Sequence, residues 1–239
     1  MSSRLEEKQR RKAEREAAEQ EAVRVSARNR RLRFAGAGVL GAALIAAIAV
    51  AAGGGGGSSS SGTAANSPVA ADIKGVALPA RRITDLTKAA AAAGCQLHSY
   101  PIEGRTHVSS TVVYKTNPPT SGNHNPTPAP DGVYDPANTP LKENFVHTLE
   151  HGRVEYQYRP GTPPAQVKQL EALWNETVNG QPGYKQLLFQ NNTGMPYAVA
   201  AVAWGQTLGC PSLNPRIFDA FRAFRNTYLD KGPEQIPAG

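Results

Sequence analysis

Sulfur is scarce in this chain, with two cysteines and two methionines in 239 residues. Cys95 and Cys210 lie far apart and form no C-x-x-C pair, which argues against a thioredoxin-like redox motif and a zinc finger. The pair can still form one long-range disulfide in an oxidising compartment. Acidic residues are outnumbered, 19 against 26 Lys/Arg, but the imbalance is local. Eleven of the basic and six of the acidic residues fall in residues 1–33, a net of +5, which leaves 15 and 13 for the rest. The body is therefore nearly neutral, and no nucleic-acid surface is indicated on it. Histidine is sparse too, with five in the chain, yet His107, His124, His147 and His151 fall within one short span.

The first part of the chain reads as three segments. Residues 1–33 are rich in Arg, Glu, Gln, Ala and Lys, all good helix formers, without an apolar heptad that would sustain a coiled coil. This is read as a charged cytoplasmic arm. Phe34 to Ala52 carries no charge and approaches the length that spans roughly 30 Å of hydrocarbon. Arg24, Arg28, Arg30, Arg31 and Arg33 crowd its N-terminal side, so the positive-inside rule puts the N-terminus in the cytoplasm. Ala47-Ile48-Ala49 resembles a signal-peptide cleavage site, but the arm before it is long for a signal sequence, and an uncleaved transmembrane anchor over 34–52 is expected. Residues 53–74 open with Gly53–Gly57 and Ser58–Ser61 and read as a flexible linker.

Residues 75–239 remain for one extracytoplasmic domain, enough for a core of its own. Ile83–Ala93 reads as a helix closed by Gly94. Val108–Tyr114 is β-branched and aromatic and reads as a strand. From 117 to 140 there are seven prolines, which exclude a helix or a central strand. A loop this long in a folded domain is usually functional. Arg153–Tyr158 alternates as a strand, and Pro163–Val178 reads as an amphipathic helix capped by Thr162. Tyr184–Gln190 and Tyr197–Trp204 read as two more strands, and a last helix follows Asn214-Pro215. Three to four helices with four strand candidates in mixed order imply an α+β domain with a small mixed or antiparallel sheet.

The stretch His147-Thr148-Leu149-Glu150-His151-Gly152 carries the chemistry. On a strand its two imidazoles would stand about 13 Å apart, too far to share an ion. On a helix they lie one turn apart on one face. Helix is favoured: Thr139 suits a cap, Pro140 the first turn and Gly152 the exit. Leu141, Phe145, Val146 and Leu149 then share one side, while Glu143, His147, Glu150 and His151 share the other. That polar side is either a solvated surface or part of a metal site. Imidazole is a common ligand for zinc and copper, so His107, His124, His147 and His151 are the candidate ligands, with Glu143 and Glu150 as carboxylates that orient them. Met195 and Cys210 would suit copper, although Cys210 is preferred here as the disulfide partner of Cys95. The text His147-x-x-Glu150-His151 also fits the pattern of inverted zinc peptidases, in which Glu150 would be the general base of a metallohydrolase. A third possibility is a metal-free envelope module that binds a partner through the proline-rich loop, with each histidine satisfied by a hydrogen bond.

Three segments carry a resemblance. They are Pro118-Pro119-Thr120-Ser121-Gly122-Asn123-His124, Phe145-Val146-His147-Thr148-Leu149-Glu150-His151-Gly152-Arg153-Val154 and Ala201-Val202-Ala203-Trp204-Gly205. Over roughly residues 75–230 the chain resembles the bacterial domain-of-unknown-function 3105 family, typically found on membrane-anchored or exported proteins. The resemblance implies a discrete extracytoplasmic domain. It implies no activity, cofactor or catalytic residue. The chain is thus expected to be a single-pass membrane protein, non-enzymatic rather than enzymatic, that holds zinc or copper outside the cytoplasm.

Overall fold

The computed structural model describes residues 67–237. The charged arm, the uncharged span 34–52 and the linker as far as residue 66 lie outside the described residues. Among the described residues no helix is long and apolar enough to cross a membrane.

The architecture is α+β. Helix α1 (Leu86–Ala93) starts at Asp85, whose carboxylate accepts from the Lys88 N–H at 2.8 Å, and stops at Gly94 with φ 70°. It begins three residues later than the alanine pattern suggests, because the N–H groups of Arg82 and Ile83 donate to the Asp219 carboxylate instead of opening a helix. Strand β1 is Gln96–Ser99 and β2 is Gly132–Val133. Helix α2 (Lys142–Glu150) precedes β3 (Val154–Tyr158), and α3 (Pro164–Trp174) follows. Then come β4 (Thr177–Val178), β5 (Gln181–Pro182), β6 (Gln186–Gln190), β7 (Val199–Ala203), β8 (Gln206–Cys210) and α4 (Ile217–Tyr228).

Six strands form one mixed sheet in the order β1-β8-β7-β3-β6-β2. The β1-β8-β7-β3 part is antiparallel, and β3-β6-β2 is parallel. Strands β4 and β5 make a separate hairpin, at the place where the α3 helix was expected to continue to Val178. The alternation of β3 separates two faces. Val154, Tyr156 and Tyr158 join the larger core with Leu188, Val199, Ala201 and Leu208 and the apolar sides of α1, α3 and α4. There the Tyr156 and Phe221 rings stack at 5.4 Å. The opposite face is covered by α2, with Phe145 and Val146 against Leu187 and Phe189, and Leu149 against Ala200 and Val202. Each large buried apolar side chain is worth about 1.5–3 kcal/mol, so burying both faces makes the sheet the centre of the domain. Cys95, just after α1, is bonded to Cys210 at the end of β8.

Three expectations change. Val108–Tyr114 is not a strand. Its backbone has no neighbouring strand to pair with: the Val112 N–H donates to Glu143 Oε1 at 2.9 Å, its carbonyl accepts from Lys142 Nζ, and Val113 is 91% exposed. Strands β1 and β8 went unread because Gln96–Ser99 and Gln206–Cys210 carry neither alternation nor a β-branched run. Residues 67–74, assigned to the linker, lie on the domain. The Val69 N–H donates to the Val133 carbonyl at 2.7 Å at the outer edge of β2, Ala71 packs against the core, and Asp72 pairs with Lys168.

Candidate metal centre

Three separate pieces of chain meet under the C-terminal half of α2. The first two are the irregular segments around His107 and His124, which run side by side. The Val108 N–H donates to the His124 carbonyl at 2.8 Å, and the His124 N–H donates to the Thr106 carbonyl at 3.1 Å. The third is α2 itself. It is read correctly as a helix, but its first residue is Lys142, Leu141 stands at the cap position without a side-chain bond, and Thr139 closes the short 3-10 turn before it. Leu141, expected on the buried side, is 60% exposed.

The proline-rich loop is buried in its first part, with residues 118–122 and His124 inside. Several polar groups there find partners in neighbouring segments. Ser121 Oγ accepts from the Glu103 N–H, the Thr120 carbonyl accepts from the Gly205 N–H, and Tyr114 Oη donates to the Asn123 carbonyl. Gly122 has φ 131°, and a β-carbon there would stand 2.8 Å from the Tyr114 ring, so the turn that presents His124 requires glycine. Trp204 sets its ring edge-on to His124 at 6.1 Å, which gives the Ala201–Gly205 segment its place beside the site.

The polar side of α2 is not solvated. His124 and His147 are 0% exposed, Glu150 1% and His151 4%. One donor atom from each of His107, His124, His147 and Glu150 lies within 4.8 Å of the others, a spacing at which one ion can be held. The tautomers follow from the neighbours. A carbonyl oxygen only accepts, so His124 Nδ1, 2.7 Å from the Gly122 carbonyl, carries a proton, as does His147 Nδ1, 2.6 Å from the Asn125 carbonyl. When these rings are neutral, both Nε2 atoms are lone pairs turned inward. His124 Nε2 lies 2.9 Å from Glu150 Oε2, yet it has no hydrogen-bond partner among the described residues. Two acceptors in a dry interior repel unless a proton or a cation lies between them.

His151 is brought close but stands beside the group of four. Its Nε2 is 3.0 Å from His147 Nε2 and 3.7 Å from Glu234 Oε2. Burial first, then the neighbouring His151 and His124 rings, pushes His147 down to about 2, and burial with Arg153 pushes His151 down to about 3. Both rings are therefore neutral at physiological pH, the form that binds a metal. Glu143 lies apart, holding the Val112 backbone and Lys142. Burial opposes its charge, but those hydrogen bonds outweigh it and keep its carboxyl below the usual range. Glu150 rather than Glu143 is the carboxylate among the imidazoles. His98 lies outside the group, on β1, stacked against Tyr100. Met195 packs with Leu149, Ala200 and Val202, and Cys210 is in the disulfide, so neither is placed as a soft ligand.

Two residues at the site carried no signal in the sequence. Arg105 Nε is 3.4 Å from Glu150 Oε1, and Glu234 reaches the site from a C-terminal segment far along the chain. An arginine in a polar loop and a glutamate near a terminus read as ordinary surface.

Comparisons with curated proteins and with solved structures return no match. A family model described as "Protein of unknown function (DUF3105)" matches residues 107–237, more than half of the chain. That span opens at His107, takes in His124 and all of α2, and closes after Glu234, so it contains every residue of the group. The chain belongs to the DUF3105 family.

Proposed function

We propose that this protein is a membrane-tethered, extracytoplasmic metal-binding domain in which His107, His124, His147 and Glu150 hold one divalent ion. The observation that carries the reading is the convergence of four buried ligand groups on one point. Four nitrogen and oxygen donors from three pieces of chain converge within 4.8 Å, and His124 Nε2 and Glu150 Oε2 meet at 2.9 Å without a hydrogen bond. A cation among these atoms would satisfy all four at once. Three imidazoles and a carboxylate suit zinc, and with Cys210 in the disulfide no thiolate is left to favour copper(I). The Nδ1 bonds to the Gly122 and Asn125 carbonyls fix the two rings, as partners of metal-bound histidines do.

Glu150 is a ligand in this reading rather than a general base, since its carboxylate is buried against His124 and faces no bulk water. The uncharged stretch 34–52 behind its arginines supports a position outside the cytoplasm, and a Cys95–Cys210 disulfide suits that compartment.

Metal content of the full-length protein, purified in detergent without a histidine tag, tests the site. About one equivalent of zinc is expected in the parent, with little in His124→Ala or His147→Ala and a full complement in His98→Ala. A parent that takes up no ion, or histidine variants that bind as well as the parent, would remove the site. A reporter fused after Gly239 tests topology and should be active only outside the cytoplasm.

A further inference from the structure

Val108–Tyr114 has the apolar residues of a strand but no strand beside it, and its tip is left in water. Val113 is 91% exposed. The Lys142 Nζ bond to the Val112 carbonyl and the Val112 N–H bond to Glu143 Oε1 lay this segment along the first turn of α2. That turn opens at Leu141, itself 60% exposed. Each of these two apolar side chains is one residue away from the bonded pair Val112 and Lys142, so they stand on the same part of the surface although far apart in sequence. Leucine is locally unfavourable there. The residue before the first helical turn is where Ser, Thr, Asp or Asn caps the free N–H groups, and Leu141 makes no such bond. Lys115, just beyond Val113 and Tyr114, is exposed at the rim.

The chain enters the domain at the same edge. The Ser67 carbonyl accepts from Asn138 Nδ2 at 3.1 Å, and Asn138 leads through Thr139 and Pro140 to Leu141. Consecutive Cα atoms are about 3.8 Å apart, so Leu141 lies within about 11 Å of Asn138. Residues 53–66 separate this entry point from the uncharged stretch 34–52, a reach of at most about 50 Å. A single exposed apolar side chain needs no explanation. A pair beside the point where the tether lands, with a lysine at its rim, has the chemistry of a bilayer interface.

We propose that the first turn of α2 and the segment 108–115 form a contact surface for the bilayer that anchors the chain. Val113 and Leu141 enter the boundary between headgroups and acyl chains, and Lys115 reaches lipid phosphates. The tether keeps the surface at high local concentration, so a contact too weak for a free protein suffices. Eight rises of about 1.5 Å separate Lys142 from Glu150, so the metal group is held roughly 12 Å from the contact. This rests on the membrane-tethered part of the reading above and is independent of the metal.

The full-length protein in lipid nanodiscs, one chain per disc, tests it. Nitroxide labels at Val113→Cys, at Leu141→Cys and, on α1 across the sheet, at the exposed Lys88→Cys report two kinds of collision. Oxygen concentrates in lipid, and a nickel chelate stays in water. Nickel collisions should be at least about fivefold fewer at 113 and 141 than at 88, with oxygen collisions raised. Leu141→Asp supplies the missing cap, so it should keep or raise Tm and yet return the 113 label to water. A leucine with a merely structural role would not separate those two readouts. Labels at 113 and 141 as open to nickel as the one at 88 would overturn the proposal, as would a 113 label still shielded in Leu141→Asp. Fewer nickel collisions without a gain in oxygen would mean that protein rather than lipid covers the patch, and would overturn it too. A chain that does not enter the disc overturns the tethered reading itself, whereas an inserted chain with both labels in water overturns only the contact surface.

Discussion

Removing the ion should loosen the whole domain, and the size of the effect follows from where the site lies. His107 and His124 come from irregular segments, while His147 and Glu150 come from α2, which covers one face of the sheet. An ion bound only by the folded state adds RT ln(1 + [L]/Kd), about 2.7 kcal/mol at a hundredfold excess over Kd and about 4.1 kcal/mol at a thousandfold excess. For a domain of this size, 1 kcal/mol moves the midpoint by about 2–4 °C, so zinc should raise Tm by roughly 5–16 °C over that range. Calorimetry with zinc and with a chelator measures it. His147→Ala should lose the metal-dependent part. It should also cost about 1–3 kcal/mol without metal, because a fully buried ring is removed and the half-buried Asn125 carbonyl loses its donor. His98→Ala should keep the full shift. The metal-free domain adds a pH signature. The His147 and His151 rings are held at about 2 and about 3, below the ordinary value near 6.5. Between those limits each of these rings binds more protons in the unfolded chain than in the folded one, so their contribution to stability should be level above about pH 6.5 and fall as the pH drops below it. The sequence alone predicts that metal affinity breaks near pH 6.5. Burial of His147 moves its share of that break to lower pH. An equal zinc shift in parent and His147→Ala would refute the reasoning.

Further outcomes follow from single features. Thiol titration of the unfolded, unreduced protein should find no free thiol. Reducing the Cys95–Cys210 bond, which spans 115 residues, should cost up to about 4–5 kcal/mol by the loop-entropy estimate, read from denaturant midpoints with and without reductant. Gly232→Ala forces a methyl group against backbone atoms of Glu150 and Gly152. It should cost about 1–3 kcal/mol and expose residues 230–237 to limited proteolysis. Glu155 is fully buried beneath α2 with Gln157 as its hydrogen-bond partner, and burial raises its carboxyl well above the usual range. Its contribution to stability is present below the unfolded value near 4.5 and falls as the pH rises above it, so Glu155→Gln should flatten that decline. A mutant curve parallel to the parent's from pH 5 to 8 would refute that assignment.

The sequence by itself determined much of the local order. Periodicity marked α2, α3, α4 and β3, each with an apolar side that repeats at the helical or the strand period, and apolar runs bounded by turn residues marked β6 and β7. Prolines marked the loop that carries His124, and the i, i+4 spacing placed His147 and His151 a turn apart. Sequence also placed four histidines near one loop, and the structure gathers three of them with Glu150. Only the tertiary structure decided which groups meet. Val108–Tyr114 has the residues of a strand but no neighbour to pair with, so its hydrogen bonds go to Glu143 and Lys142. Glu143 and Glu150 sit on the same helix with similar local patterns. The chain packed around them leaves one at the rim and seals the other among imidazoles. Glu234 joins the site because the C-terminal segment crosses the end of α2, and Arg105 because the chain before His107 runs beside His124, contacts between residues with no local relation in sequence. Local pattern reports what a segment prefers against water. A site made from distant segments is set by packing, which lies beyond the reach of any local pattern.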